Sequence, residues 1–113
     1  MDNAMTITKR TLLDQCAITQ SRNVIGDFCL FILDDGVVIS KSAPHTINIA
    51  PNGDYAATLK ANNADITTRP GMMWPAIDAD EWKRFIDHCL IAHTPEVVAA
   101  YIAAINEKKL AHA

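Results

Sequence analysis

The sequence has little cysteine, and its three cysteines, Cys16, Cys29 and Cys89, are widely spaced. An odd number at such spacing is not typical of a disulfide framework. The chain also lacks an apolar run near the ~20 residues that a membrane helix needs. Its first ten residues contain no apolar segment of the kind that a signal peptide has. These absences predict a soluble, cytoplasmic protein that makes no membrane contact.

Long runs of one charge are missing as well. The chain has 10 Lys and Arg against 13 Asp and Glu, a formal net charge of −3, and its basic residues form nothing longer than pairs. It therefore lacks the concentrated positive charge that dominates affinity for nucleic acid. Phosphate-binding glycine loops, nucleophile elbows and HExxH sequences are also absent. We predict no catalytic residue, no cofactor and no metal site, so an enzyme is not the favoured class.

Length and composition favour one domain that spans residues 1–113, with residues 1–6 flexible. Half of the residues are hydrophobic, which is typical of a folded globular chain. The predicted fold class is α+β. It has an N-terminal helix, an antiparallel β-meander of four to five strands, and two C-terminal helices packed on one face of the sheet.

The N-terminal helix is predicted between Thr8 and Arg22. Thr8 is a suitable N-cap, and Leu12, Leu13 and Cys16 form a short apolar face at helical spacing.

Residues 24 to 69 carry strand and turn signals. The apolar run "FCLFIL" predicts an interior strand, and Asp35-Gly36 after it is a strong hairpin signal. The stretches "HTINIA", "YAATLK" and "DITTR" predict three further strands, the first two from their alternating pattern and all three from the turns between them.

Two helices are predicted after residue 75. Asp78 and Glu81 have the spacing of a capping box, and an apolar stripe from Trp82 to His93 follows at helical spacing. Thr94 and Pro95 are typical of a second helix start.

The stretch "DHCLIAH" raises the possibility of an enzyme or metal-binding protein around Cys89 and His93. These two residues are four apart and share a helix face, as chelating ligands must. His88 points about 100° away from Cys89, so the three cannot converge on one ion. The alternative is a buried cysteine, with a histidine that bonds the last carbonyls of the helix.

The stretch "LLDQCAITQSRNVI" resembles the helix-turn-helix family, which implies a polar recognition helix that reads the major groove. This resemblance supports the second functional hypothesis, a nucleic-acid-binding regulator that uses Lys9, Arg10 and Arg22 on the N-terminal helix. The alternative is a single helix with a polar end.

The leading hypothesis is a small non-catalytic binding or regulatory protein that docks onto another protein. An accessory or inhibitor protein of bacterial or phage type fits the size and acidity. Met and Trp suit adaptable interfaces, so Met72, Met73 and Trp74 are the predicted contacts, with a polar rim of Lys60, Thr67 and Arg69. The alternative is that this loop tucks its side chains into the core. A homodimer is also possible, through an open sheet edge or the alanine-rich last helix.

Overall fold

The computed structural model describes residues 6–111, which form four strands followed by three helices. Apart from Thr6, the segment 1–6 that was predicted to be flexible lies outside the described residues. The antiparallel sheet and the α+β class are confirmed. The elements are β1 (Ile7–Ile18), β2 (Val24–Asp34), β3 (Val37–Lys41), β4 (His45–Ile49), α1 (Tyr55–Thr68), α2 (Ala79–Ala92) and α3 (Pro95–Ala111).

The predicted N-terminal helix is wrong, because residues 7–18 form the long strand β1. β1 pairs antiparallel with the whole of β2, from Ile7 opposite Asp34 to Ile18 opposite Val24. Within it Thr11 and Leu13 are buried, the period-two spacing of one strand face. β-branched residues favour this extended state over a helix.

β2 is the central strand, with β1 on one side and both β3 and β4 on the other. The Asp35-Gly36 turn is confirmed, since both residues have positive φ angles of 50° and 82°. Between β3 and β4, the backbone N–H of Leu30 donates to Ser42 Oγ at 2.8 Å. β3 and β4 are therefore successive parts of one interrupted edge.

The strands predicted at "YAATLK" and "DITTR" are wrong, because residues 55–68 form helix α1. The side chain of Asp54 caps this helix by accepting from the Ala57 backbone N–H at 3.0 Å. The apparent alternation in "YAATLK" relied on alanine, which is the best helix former.

Helix α2 packs against β1 and β2 and supplies the centre of the core. Phe85 is fully buried and makes an edge-to-face contact with Phe28, with ring centroids 5.5 Å apart. The predicted capping box is wrong in detail, since Asp78 makes no side-chain cap hydrogen bond. Asp78 instead accepts from Arg10 Nε at 2.7 Å, and Glu81 pairs with Arg84. α2 thus covers one face of the sheet as predicted.

Helix α3 differs from the prediction, because none of residues 95–110 is buried. Its N-cap is confirmed, with Thr94 Oγ1 accepting from the Val97 N–H at 3.2 Å. The described chain is elongated, 71 × 29 × 20 Å, and its radius of gyration is 17.7 Å against the about 13 Å expected for a compact chain of this length.

Among the described helices, none alone has the length and apolarity of a membrane span. α2 and α3 pass that test only as a pair that is bent by 74° at their junction.

Candidate functional site

The structure divides the three residues that were predicted as partner contacts. Trp74 is buried in the core, and its backbone N–H donates to the Ile66 carbonyl at 2.8 Å. Met72 is partly buried and packs against the core, whereas Met73 is 73 % exposed. Trp74 thus takes the core position that the alternative interpretation described, and its predicted role as a partner contact is not tested. A binding role for Met73, and for the exposed part of Met72, stays a prediction.

The predicted polar rim lies on helix α1 and its C-terminal end, not on a sheet face. Lys60 is exposed, while Thr67 Oγ1 is engaged with the Asn63 carbonyl at 2.7 Å. Arg69 forms a two-pronged ion pair with Asp65, with Nε–Oδ1 and Nη2–Oδ2 distances of 3.0 and 2.5 Å. Of this rim, Lys60 is the residue whose charged end is uncommitted within residues 6–111.

Cys89 and His93 lie together, but their surroundings are those of a core. Cys89 is fully buried, and burial raises the pKa of its thiol to about 12, with the nearby Cys16 adding to the shift. The thiol is thus protonated at neutral pH and is a poor nucleophile and metal ligand. Among the described residues, no group of three His, Cys, Asp or Glu side chains could hold a metal ion.

Both ring nitrogens of the buried His93 are occupied. Nε2 lies 2.9 Å from the Arg22 carbonyl, and Nδ1 lies 2.7 Å from the hydroxyl of Tyr55, whose ring stacks on the imidazole. Since a carbonyl can only accept, Nε2 donates to it, and in the neutral ring Nδ1 accepts from Tyr55. His93 joins the β1–β2 turn, α1 and α2, and it has no free nitrogen to act as a base on a substrate.

The basic residues of the nucleic-acid hypothesis are not brought together. Lys9 and Arg10 lie near the start of β1, and Arg22 lies in the turn after its end. Ile18 lies nine positions after Lys9 along β1, which is about 30 Å at the usual rise of a strand. Arg10 is also paired with Asp78. The recognition helix that this hypothesis needs is absent, because β1 takes its place.

A first exposed apolar surface lies at the far end of the sheet, and the sequence reasoning missed it. Val37, Val38 and Ile39 of β3 are 66, 50 and 58 % exposed, and Ile7 on β1 is 45 % exposed. We call these four residues the hairpin tip. Val37 and Val38 point to opposite faces of the strand, and at least half of each side chain is in solvent.

A second exposed apolar surface is helix α3. Residues 97–105 carry no charge, yet Ile102 and, beyond them, Leu110 are exposed. Apolar residues occur all round this helix, a composition that is typical of a buried helix and not of a surface one. Its first half borders a concavity of about 280 Å³, lined by Gln20, Ser21, Arg22, Pro51, Val97, Ala100 and Tyr101.

Two sequence signals could have indicated these surfaces. The stretch "VVIS" has apolar residues on both faces of a strand and comes directly after a hairpin turn. In the part of the chain that the structure describes, this strand ends at Lys41 and pairs only with β2. In α3, residues 97–105 include no charged residue that would form a solvent-facing side of the helix. Both signals read as core in the sequence, because apolar residues are buried far more often than not.

No protein-family model, curated protein or solved structure matches this chain.

Proposed function

We propose that this chain is a small non-catalytic binding or regulatory protein, of the accessory or inhibitor kind and cytoplasmic, that docks onto another protein. The observation that carries the proposal is the hairpin tip, a cluster of large apolar side chains that the described chain leaves in solvent. Soluble monomeric proteins rarely expose large contiguous apolar patches, and those that they do expose often mark interaction sites.

The shape of the tip supports docking through side chains. The β2–β3 ladder shifts register after Leu33, which lies opposite Val38, whereas Ile32 lies opposite Ser40. Ile39 is therefore an extra residue, a β-bulge in the edge strand. Bulges interrupt the row of backbone groups that an added strand would need. The tip thus offers apolar side chains for a pocket in the partner, not an edge for strand addition.

The chemistry of the interior supports a binding role in a second way. The histidine and the cysteine that first resembled a reactive pair, His93 and Cys89, are fully engaged or protonated in the core. What the molecule presents to solvent is apolar surface and scattered charge. Protein interfaces combine apolar side chains at their centre with polar and charged residues at their rim.

The proposal is tested with a tip variant, Val37→Thr with Ile39→Thr. Both changes keep a β-branched residue in β3, so the strand is retained while the apolar surface is lost. The matched control is Leu90→Thr with Ile91→Thr, which removes two exposed apolar side chains from α2. Circular dichroism and urea unfolding establish that all three chains fold.

Each chain is then used to capture proteins from cells that express it, with quantitative mass spectrometry. We expect a defined protein that wild type and control enrich and that the tip variant enriches about tenfold less. If every captured protein binds the tip variant as well as wild type, the tip is not the docking surface and the proposal fails.

A further inference from the structure

The two halves of α3 have different surroundings. Val97, Val98 and Tyr101 in the first half are half-buried against the rest of the chain, and Val97 and Tyr101 line the concavity with Arg22 and Pro51. Beyond Tyr101, every residue through Leu110 is exposed except the half-buried Ile105. The first half of α3 thus borders an open apolar groove, and the second half is a helix that no other described residue covers along most of its length.

We propose that a second copy of this chain completes the structure, with the two α3 helices side by side and antiparallel about a twofold axis. The second half of each α3 then lies along the first half of the other and closes its concavity. A twofold contact is self-complementary, so one surface serves as both groove and filler. This interface is separate from the hairpin tip and goes beyond the proposed docking function.

Charge complementarity selects the antiparallel direction and its register. With the midpoint of the pair at the level of Ile102, Glu96 of each copy lies opposite Lys108 of the other, and Ala100 lies opposite Ala104. The side chain of Ile102 itself points about 160° or more away from both alanines and stays outside the contact. Glu107 of the second copy then lies beside Val97, and so beside Arg22 at the edge of the groove. A parallel pair would instead place Glu96 against Glu96 and Lys108 against Lys108.

These charges are free to make such contacts. Within residues 6–111, Arg22, Glu96, Glu107 and Lys108 form no ion pair with their own chain. They lie at the two ends of the helix, and the uncharged residues 97–105 lie between them. An apolar centre with charges at its rim is the usual composition of a protein interface.

The contact can run along the whole helix. The 17 residues of α3 make a helix about 25 Å long. At each end the contact extends to the residues that line the concavity, among them Gln20, Arg22 and Pro51. The alanines at 100 and 104 allow the helix axes to come within about 8 Å.

The test measures the oligomeric state of the full chain by sedimentation equilibrium at low to high micromolar concentration. We expect a dimer for wild type. Ala104→Glu should weaken it about tenfold or more, because a charge enters the contact. The matched control, Ala99→Glu, places the same charge on another face of α3, about 100° from Ala100, and should dimerise like wild type.

A charge exchange tests the direction independently of folding. Glu96→Lys and Lys108→Glu should each weaken dimerisation roughly two- to fivefold, in keeping with exposed ion pairs. The double variant should recover wild-type affinity, because the opposite charges meet again. A wild-type monomer throughout the range would overturn the proposal. So would a dimer that is insensitive to Ala104→Glu, or one that is lost only in the hairpin-tip variant.

Discussion

Gly26 lies where helix α2 comes closest to the sheet, and adding one methyl group there should destabilise the protein. A Cβ at this position would lie 2.6 Å from Cε1 and 2.9 Å from Cδ1 of Phe85, and 3.1 Å from Cε2 of Phe28. Real Cβ atoms essentially never approach another heavy atom within 3.0 Å. Gly26→Ala is therefore possible only if the ring of Phe85 moves.

Phe85 has little room to move. It is fully buried and packs edge-to-face on Phe28 and, in a tilted contact with centroids 5.3 Å apart, on Trp82. Overpacking a dense core costs about 1–3 kcal/mol. The gain from replacing a glycine in a strand is about 0.5–1 kcal/mol. We expect Gly26→Ala to lower the free energy of unfolding by about 1–2 kcal/mol.

Urea unfolding at a fixed protein concentration measures this loss, and a double-mutant cycle identifies its cause. In a Phe85→Ala background both contacts under 3.0 Å are gone and only the 3.1 Å approach to Phe28 remains, so the cost of Gly26→Ala should fall by most of its value. Gly36→Ala is the matched control. Its Cβ meets no atom within 4 Å, but its φ is +82°, so its cost should be the same with and without Phe85.

Unfolding of Gly26→Ala at the same or a higher urea concentration than wild type, with an unchanged slope, would contradict a tight contact between Gly26 and Phe85. A Gly26→Ala cost that persists in full in the Phe85→Ala background would contradict it as well, because the loss would then come from the strand and not from the helix contact.

Two further predictions concern the buried polar groups. Tyr55→Phe removes the hydroxyl that donates to His93 Nδ1 and leaves a buried acceptor unpaired, so it should lower the free energy of unfolding by about 1–3 kcal/mol in urea unfolding. The matched control is Tyr101→Phe, at a half-buried tyrosine with no side-chain hydrogen bond within residues 6–111, and it should leave stability unchanged. Burial raises the pKa of the Cys89 thiol to about 12 in the folded chain, so between about pH 9 and 12 the folded state keeps a proton that the unfolded state releases. The stabilising contribution of this thiol is complete below pH 9 and declines as pH rises, by up to about 1.4 kcal/mol per pH unit. Cys89→Ala should be less stable than wild type at neutral pH but should lose less stability between pH 9 and 12. Equal losses in both proteins would contradict a raised pKa at Cys89.

The sequence predicted the features that depend on neighbouring residues. The Asp35-Gly36 turn, the N-cap at Thr94 and the helical stripe of α2 follow from backbone geometry and spacing within one or two turns. The turn predicted between "HTINIA" and "YAATLK" is also present, with the Gly53 N–H donating to the Ala50 carbonyl at 2.9 Å. The next residue, Asp54, is a typical N-cap, and the alanines at 56 and 57 should have indicated a helix from Tyr55 onward.

The N-terminal error has a different origin. The spacing of Leu12, Leu13 and Cys16 fits a helix as well as it fits a strand with a bulge, and the ladder shifts between Leu13 and Gln15. What decides for the strand is pairing with β2 along its whole length, a non-local contact that no short window contains. A strand of 12 residues is also twice the usual length of about 5–6.

The candidate surfaces were predicted least well. The loop around Met73 was predicted as a binding surface because three large apolar residues follow one another between two secondary-structure elements. One of the three, Trp74, lies in the core. The hairpin tip was overlooked because apolar composition predicts burial, and α3 was expected to pack on the sheet, with homodimer contact through its alanines as one further possibility. Whether such a residue is covered depends on where the helices end relative to the sheet, and that is a property of the whole fold.

The interrupted edge opposite β1 has a consequence for how the molecule opens. β4 pairs with Val24–Phe28, and β3 pairs with Phe31–Asp34. Only the first of these halves includes the fully buried Val24 and Phe28 of the main core. On the side of β2 away from β1 the two halves pair with different strands, so this edge can fray at the tip without breaking a hydrogen bond between β2 and β4. Amide hydrogen exchange should therefore be slower in Val24–Phe28 than in Phe31–Asp34. Local opening of the second segment would let the tip adapt its shape to a bound surface while the helix-covered part of the sheet stays folded.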